Sequence, residues 1–206
     1  MKVKICGITR YEDAMLALDQ GADALGFNFF PPSSRYIDPV TASEIIRRLP
    51  PFAVTVGLFV NVEQADHLAE TARLAGVRVI QLHGDESPEY CRQLSAWTLI
   101  KVLRVGGAPV EEDLDRYPVQ AFLLDVKDDT LFGGTGKSFD WTQAQGVDRK
   151  RPIILAGGLR ADNVRAAIRA VRPYAVDVCS GVEREPGIKD PVKVAQFMNE
   201  VRNVSR

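Results

Sequence analysis

A cysteine and an aspartate each close an apolar run of this chain, and an arginine follows another. Cys6 ends VKIC and is followed by Gly7 and then by TRYE, which reads as a helix start. A thiol beside a helix N-terminus ionises more readily than a free one, and its thiolate can serve as a base. Asp125 ends AFLLD behind apolar residues. Such surroundings disfavour the charged form of a carboxyl group, as a general acid requires. Arg35, in FPPSSRYI, has the planar fork that grips a carboxylate through two parallel hydrogen bonds. The residues alone leave plainer alternatives open. A free cysteine is commonly a small buried hydrophobe, an aspartate at a loop start commonly caps a helix, and a lone arginine commonly lies on the surface.

Two glycine-rich turns supply a different chemistry. LAGGLRADN carries Gly157 and Gly158, and DVCSGVE carries Ser180 and Gly181. Main-chain N–H groups in such turns, ahead of a helix, form an anion site suited to phosphate. GGTGKS (133–138) fails as a nucleotide P-loop, because Leu131 stands where the motif needs glycine. It reads instead as a mobile loop over the site, bringing Gly134 and Thr135 near a substrate. Gln81 and His83, at the end of VRVIQLH, are further candidates for substrate contact. Lys4 shares the strand parity of Cys6 and could pair with Asp177 as a structural element. Cys91 and His67 read as inert.

These residues need a frame. Eight apolar runs predict strands: VKIC (3–6), ALGFNF (24–29), AVTVGLFV (53–60), VRVIQLH (77–83), TLIKVLRV (98–105), AFLLD (121–125), PIILAG (152–157) and AVDVCSG (175–181). Their consecutive apolar positions suit strands of a parallel sheet covered on its outer face. Helix starts are predicted at the capping boxes Thr9-x-x-Glu12 and Thr41-x-x-Glu44, after Asn61, at Ser87-Pro88, Asp140, Asp162 and Asp190-Pro191, with a fifth helix somewhere in 109–117. Gly21, Gly76 and Gly146 fall where helices should stop. Eight strands alternating with eight helices predict an α/β chain of parallel βαβ units. No run looks like an edge strand and no G-x-G-x-x-G follows the first, so a (β/α)8 TIM barrel is favoured over an open sheet. Function in such a barrel sits at the C-terminal ends of its strands, with phosphate after strands seven and eight. Cys6 and Asp125 would then face each other across one mouth.

Composition bounds the rest. With 206 residues and neither linker nor shift in composition, residues 1–206 read as a single domain. A net charge of −1, with no sustained basic cluster, argues against nucleic-acid or anionic-membrane partners. There is no secretory h-region and no membrane span. Three cysteines form no framework and the two histidines lack metal-ligand spacing, so the expectation is a reduced, cytoplasmic protein without metal. Monomer and homodimer stay open.

The motifs KICGIT, GFNFFPPSSRYI, QLHGDE, FLLD followed by GGTGKSFDW, LAGGL, VDVCSGVE and PGIKD resemble, in order and over nearly the whole chain, the phosphoribosylanthranilate isomerase family of tryptophan biosynthesis. The resemblance implies a (β/α)8 barrel that performs an Amadori rearrangement with no cofactor on a small phosphorylated substrate. It implies Asp125 as the acid that opens the ribose ring, and Cys6 as the base that takes the C2 proton. Arg35 would face the anthranilate carboxylate, and Gly157, Gly158, Ser180 and Gly181 would form the phosphate cradle. The family pattern has serine where Cys179 stands; both are small, and little change is expected. A related aminoaldose-phosphate isomerase of histidine biosynthesis resembles a longer barrel with aspartate in place of Cys6. A thiamin-phosphate-forming transferase would need Mg²⁺-binding carboxylates. A non-catalytic phosphometabolite-binding barrel would bind without turnover.

Overall fold

The computed structural model describes residues 1–105, 114–126 and 150–204. Eight parallel strands follow one another round a closed barrel: β1 (Lys2–Ile5), β2 (Ala24–Asn28), β3 (Val54–Phe59), β4 (Val79–Leu82), β5 (Thr98–Val105), β6 (Ala121–Val126), β7 (Ile153–Ala156) and β8 (Ala175–Val178). β8 returns to pair with β1, Lys4 lying beside Asp177 and Ile5 beside Val178. Closure removes the edge strands that an open sheet would expose. Each of the eight predicted runs coincides with one strand: β1 begins a residue earlier, β6 ends a residue later, β5 matches throughout, and the other five are trimmed at their ends.

The strands are apolar on successive positions because each of their faces meets a different hydrophobic layer. Phe27, Ile80, Leu124, Leu155 and Val176 face outward, in one core with helix residues such as Ala14, Leu68, Ala72, Ile168 and Phe197. Val56, Val79, Ile100, Val102, Ala121, Leu123, Ile154, Ala156 and Ala175 fill the barrel interior. Side chains alternate faces with a period of two. The inward set therefore continues from Val79 to Gln81 and His83, from Leu123 to Asp125, and from Ala175 to Asp177 and Cys179. The pleat that packs hydrocarbon low in the barrel delivers polar groups to its mouth.

The α-helices are α1 (Tyr11–Asp19), α2 (Pro39–Ile46), α3 (Ala65–Ala75), α4 (Pro88–Gln93), α5 (Val164–Val171) and α6 (Pro191–Val204). Two predicted caps stand: Ser87 accepts the Tyr90 N–H at 3.2 Å, and Asp190 accepts those of Val192 and Lys193 at 2.9 and 3.1 Å. Others are corrected because the polar side chains serve loops instead. The Thr9 hydroxyl donates to the Gly187 carbonyl at 2.6 Å. α2 begins ahead of Thr41, capped by Asp38. Asn61 accepts the Asp85 N–H at 2.7 Å, four residues before α3 begins. Asn163, not Asp162, stands at the start of α5, and it accepts the Arg160 N–H at 2.8 Å. Gly76 ends α3 at φ +79°, as its position suggests. Between β5 and β6 the described residues hold a 3-10 turn, Leu114–Arg116; residues 109–113 and the helix expected from Asp140 to Gly146 lie outside them. A hairpin, β9 (Glu183–Glu185) and β10 (Ile188–Lys189), follows β8 and was not anticipated. Among the described residues no helix is long and apolar enough to cross a membrane.

Candidate active site

Cys6 is the first residue past β1, fixed there by its N–H donating to the Val178 carbonyl at 2.8 Å. Its thiol is buried, and glycine at 26 on β2 makes room for it: a Cβ there would sit 2.7 Å from the sulfur. Lys4 lies one pleat below, its ammonium 2.8 Å from Asp177 Oδ2, both side chains buried. A hydrogen bond with the Cys179 thiol draws Cys6 well below the ordinary thiol value of 9.0. Burial opposes this, but the positive charges of Lys4 and Lys189 add to it. Cys179 is driven the opposite way by the same hydrogen bond and by burial, so it stays protonated and acts as the donor. Burial also disfavours the charge on Lys4, yet Asp177 and Cys6 together hold its ammonium protonated. Asp177 Oδ1 is buried without a partner among the described residues.

Arg35 rises from the loop after β2. Asn28 shapes that loop, donating to Ser33 Oγ at 2.9 Å and accepting the Phe30 N–H at 2.9 Å, while Ser33 Oγ accepts the Arg35 N–H at 3.1 Å. The guanidinium fork is not wholly open, as the sequence would suggest. Its Nε donates to both Glu183 oxygens at 3.0 Å and its Nη2 to Oε2 at 2.6 Å. Glu183 is itself held by the Lys189 ammonium at 2.8 Å and the Gly187 N–H at 3.2 Å. Burial works against its charge, but Arg35 and Lys189 prevail and hold it below the ordinary carboxyl range. The side-on edge of Arg35 is thus occupied. The end-on edge, Nη1 with the second Nη2 hydrogen, has only a 3.5 Å contact with Ser34 and can accept a carboxylate.

Asp125 lies in β6 between Arg104 of β5 and Ala156 of β7. Its nearest polar partner is the His83 ring, Nε2 standing 3.2 Å from Oδ2, in place of the purely apolar setting anticipated. Gln81 Nε2 lies 3.1 Å from His83 Nδ1. An amide N–H can only donate, so Nδ1 accepts, and the ring N–H directed at Asp125 is that of Nε2. Asp125 Oδ1 has no hydrogen bond to any described residue and faces no competitor for a substrate atom. Burial pushes the Asp177 carboxyl up to about 7, although the charge of Lys4 opposes it. Round the barrel, β1 and β6 are separated by β8 and β7.

The β7 and β8 turns abut. Gly157 and Gly158 hold φ of +91° and +60°. Asn163 Nδ2 donates to the Gly158 carbonyl at 2.9 Å and fixes the first turn. A Cβ at Gly181 would lie 1.9 Å from the Leu159 carbonyl oxygen, so only glycine allows the second turn to approach. None of the N–H groups of Gly157, Gly158, Ser180 and Gly181 is bonded to a described residue outside the strand ladder, which leaves a cluster of main-chain donors. Gly134 and Thr135 lie outside the described residues. Cys91 is buried and pushed up to about 11 by desolvation, consistent with an inert thiol. Sequence reasoning missed Glu183 and Lys189. Both stand in stretches it singled out, VCSGVE and PGIKD, but only the β9–β10 hairpin brings them beside Arg35 and Cys6.

Fold and mouth together define a (β/α)8 barrel with acid–base groups at the ends of its strands. The sequence model of N-(5'phosphoribosyl)anthranilate (PRA) isomerase matches residues 3–200. The N-(5'-phosphoribosyl)anthranilate isomerase of Pelobacter propionicus is 52% identical over 198 residues, covering 96% of this chain and 94% of that one. That of Citrifermentans bemidjiense is 51% identical, covering 99% and 98%. The crystal structure of phosphoribosyl anthranilate isomerase from Thermus thermophilus superposes with a TM-score of 0.88 at 38% identity, covering 99% and 100%. A phosphoribosyl anthranilate isomerase in complex with reduced 1-(o-carboxyphenylamino)-1-deoxyribulose 5-phosphate superposes at 0.84 with 40% identity, covering 98% and 99%. The chain belongs to the phosphoribosylanthranilate isomerase family, and so to the isomerases.

Proposed function

We propose that this isomerase converts N-(5-phosphoribosyl)anthranilate into 1-(o-carboxyphenylamino)-1-deoxyribulose 5-phosphate in tryptophan biosynthesis, using Cys6 as base and Asp125 as acid. Held through Oδ2 by His83, Asp125 presents Oδ1 as the atom that carries the acid proton to the ribose ring oxygen. Ring opening leaves an iminium at C1, which acidifies the C2 proton. The Cys6 thiolate removes that proton, giving an enolamine that tautomerises to the ketone. Glu183 fixes the guanidinium plane of Arg35, whose end-on edge receives the anthranilate carboxylate. The donors of the β7 and β8 turns hold the phosphate at the far end. His83 is a positioning residue: it orients Asp125 and is itself oriented by Gln81.

The observation that carries the reading is the setting of Cys6. The neighbouring Cys179 thiol and two ammonium charges draw the Cys6 thiol well below its ordinary value, which favours the thiolate that a base requires. Loss of substrate fluorescence tests it. Cys6→Ser and Asp125→Asn should each lower kcat by about 10²–10⁴-fold, the usual contribution of a positioned acid or base, with urea unfolding midpoints near that of the parent. Turnover within a few-fold of the parent in either variant removes that residue from its role.

A further inference from the structure

Cys6 and Cys179 are the next residues outward on two strands already in register, Ile5 opposite Val178. The Cys6 N–H bond to Val178 carries that pairing to the strand ends. Cys6 follows the inward parity of Lys4, and Cys179 that of Asp177, so the two thiols rise side by side on the same face. Neighbouring strands run about 4.8 Å apart, inside the Cα separation of about 4.4–6.8 Å that a disulfide spans. Both thiols are free, and the Cys179 sulfur reaches across to the β1 end, 3.0 Å from where a Cβ on Gly7 would stand. They also differ in surroundings: Cys6 is buried at the rim, whereas Cys179 is partly open, its sulfur 3.7 Å from Glu183 Oε1.

We infer that Cys6 and Cys179 form a redox-sensitive dithiol, closed to a disulfide by a hydroperoxide and reopened by a dithiol reductant, which withdraws the catalytic base reversibly. The inference rests on Cys6 being that base. In the first step the Cys6 thiolate attacks the outer oxygen of hydrogen peroxide, the O–O bond breaks, and a sulfenic acid forms as hydroxide takes up a proton to leave as water. In the second, Cys179 attacks the Cys6 sulfur; the S–S bond forms, the S–O bond breaks, and its oxygen departs with the thiol proton as a second water. Two thiols lose two electrons, and the peroxide accepts them. Cys179 thereby protects as well as switches, since a trapped sulfenate does not proceed to the irreversible sulfinic acid.

The full chain is treated with hydrogen peroxide, then divided between non-reducing peptide mapping and the fluorescence assay, before and after dithiothreitol. Activity is expressed against each protein's own reduced form. The expected result is a peptide pair joined through Cys6 and Cys179, with activity falling by about 10²-fold as the base is withdrawn and returning with the reductant. Cys179→Ser should give no joined pair, and its lost activity should not return. Loss of activity in the parent without a joined pair overturns the switch and leaves Cys6 as base untouched. A joined pair that leaves turnover intact overturns both the switch and the role of Cys6.

Discussion

Alanine at Gly181 tests whether the β7 and β8 turns act as one anion cradle. The Cβ would stand 1.9 Å from the Leu159 carbonyl oxygen and 3.0 Å from its carbonyl carbon. The obstruction is backbone, so no rotamer relieves it. Restoring even a 3.0 Å separation from the oxygen requires the two turns to part by 1.1 Å (3.0 − 1.9). A displacement of about 1 Å in groups that position a substrate can cost about 10²-fold in rate. Overpacking itself costs about 1–3 kcal/mol of stability. Gly158→Ala separates the two effects. Its Cβ meets nothing within 4 Å, so the turn keeps its place and only the left-handed backbone at φ +60° is strained, at about 1–2 kcal/mol. Both variants should therefore show similar falls in urea midpoint. Gly181→Ala alone should lose about 10²-fold in kcat/KM by the fluorescence assay, chiefly through KM, because phosphate is gripped in ground and transition states alike. Equal kinetic losses in the two variants, or an unimpaired Gly181→Ala enzyme, would refute the cradle.

Lys4→Met leaves Asp177 buried without its counter-charge; it should lower unfolding free energy by about 3–5 kcal/mol, and Lys4→Met/Asp177→Leu should recover much of that loss. An unchanged urea midpoint in the single variant would mean that the pair carries no stability. The Cys6 shift has a definite sign. Its value is lowered, so the thiolate persists as pH falls below 9.0 and is lost only on passing the depressed value. Alkylation of the Cys6 peptide by iodoacetamide should stay fast well below pH 9.0, and in Cys179→Ala its midpoint should move upward. Cys91, pushed up to about 11, should stay unlabelled over that range. A Cys6 profile centred on an ordinary thiol value would refute the account of its environment.

The barrel was legible because its determinants are local and repeated. Each strand announces itself by apolar residues on both faces, and each strand end by the first polar or glycine residue after them, as at Cys6, Asp125 and His83. Helix starts were less legible. Thr9 and Asn61 have the right side chains for caps, but partners distant in sequence claimed them: the Gly187 carbonyl and the Asp85 N–H. Glu183 and Lys189 were opaque for a related reason. Their positions opposite Arg35 and Cys6 depend on a short hairpin that no apolar run marks. What spacing conveys is which residues share a strand face; it does not convey which distant side chain finishes a hydrogen-bond set.

The charges at the mouth suit a cysteine fixed at a strand end. Lys4, Asp177, Glu183 and Lys189 are all buried, and burying ions is costly unless they are paired. Asp177 satisfies Lys4, and Glu183 satisfies Lys189. Yet both ammonium groups also act on Cys6, so each pair leaves a residual positive field at the sulfur. A thiolate suits that field, being a large and polarizable anion that needs little hydration. Across the rim, Asp125 meets the His83 ring, which is backed by Gln81. One mouth thus holds a thiol in a cationic setting at the end of β1 and, three strands away on β6, a carboxyl group beside an imidazole.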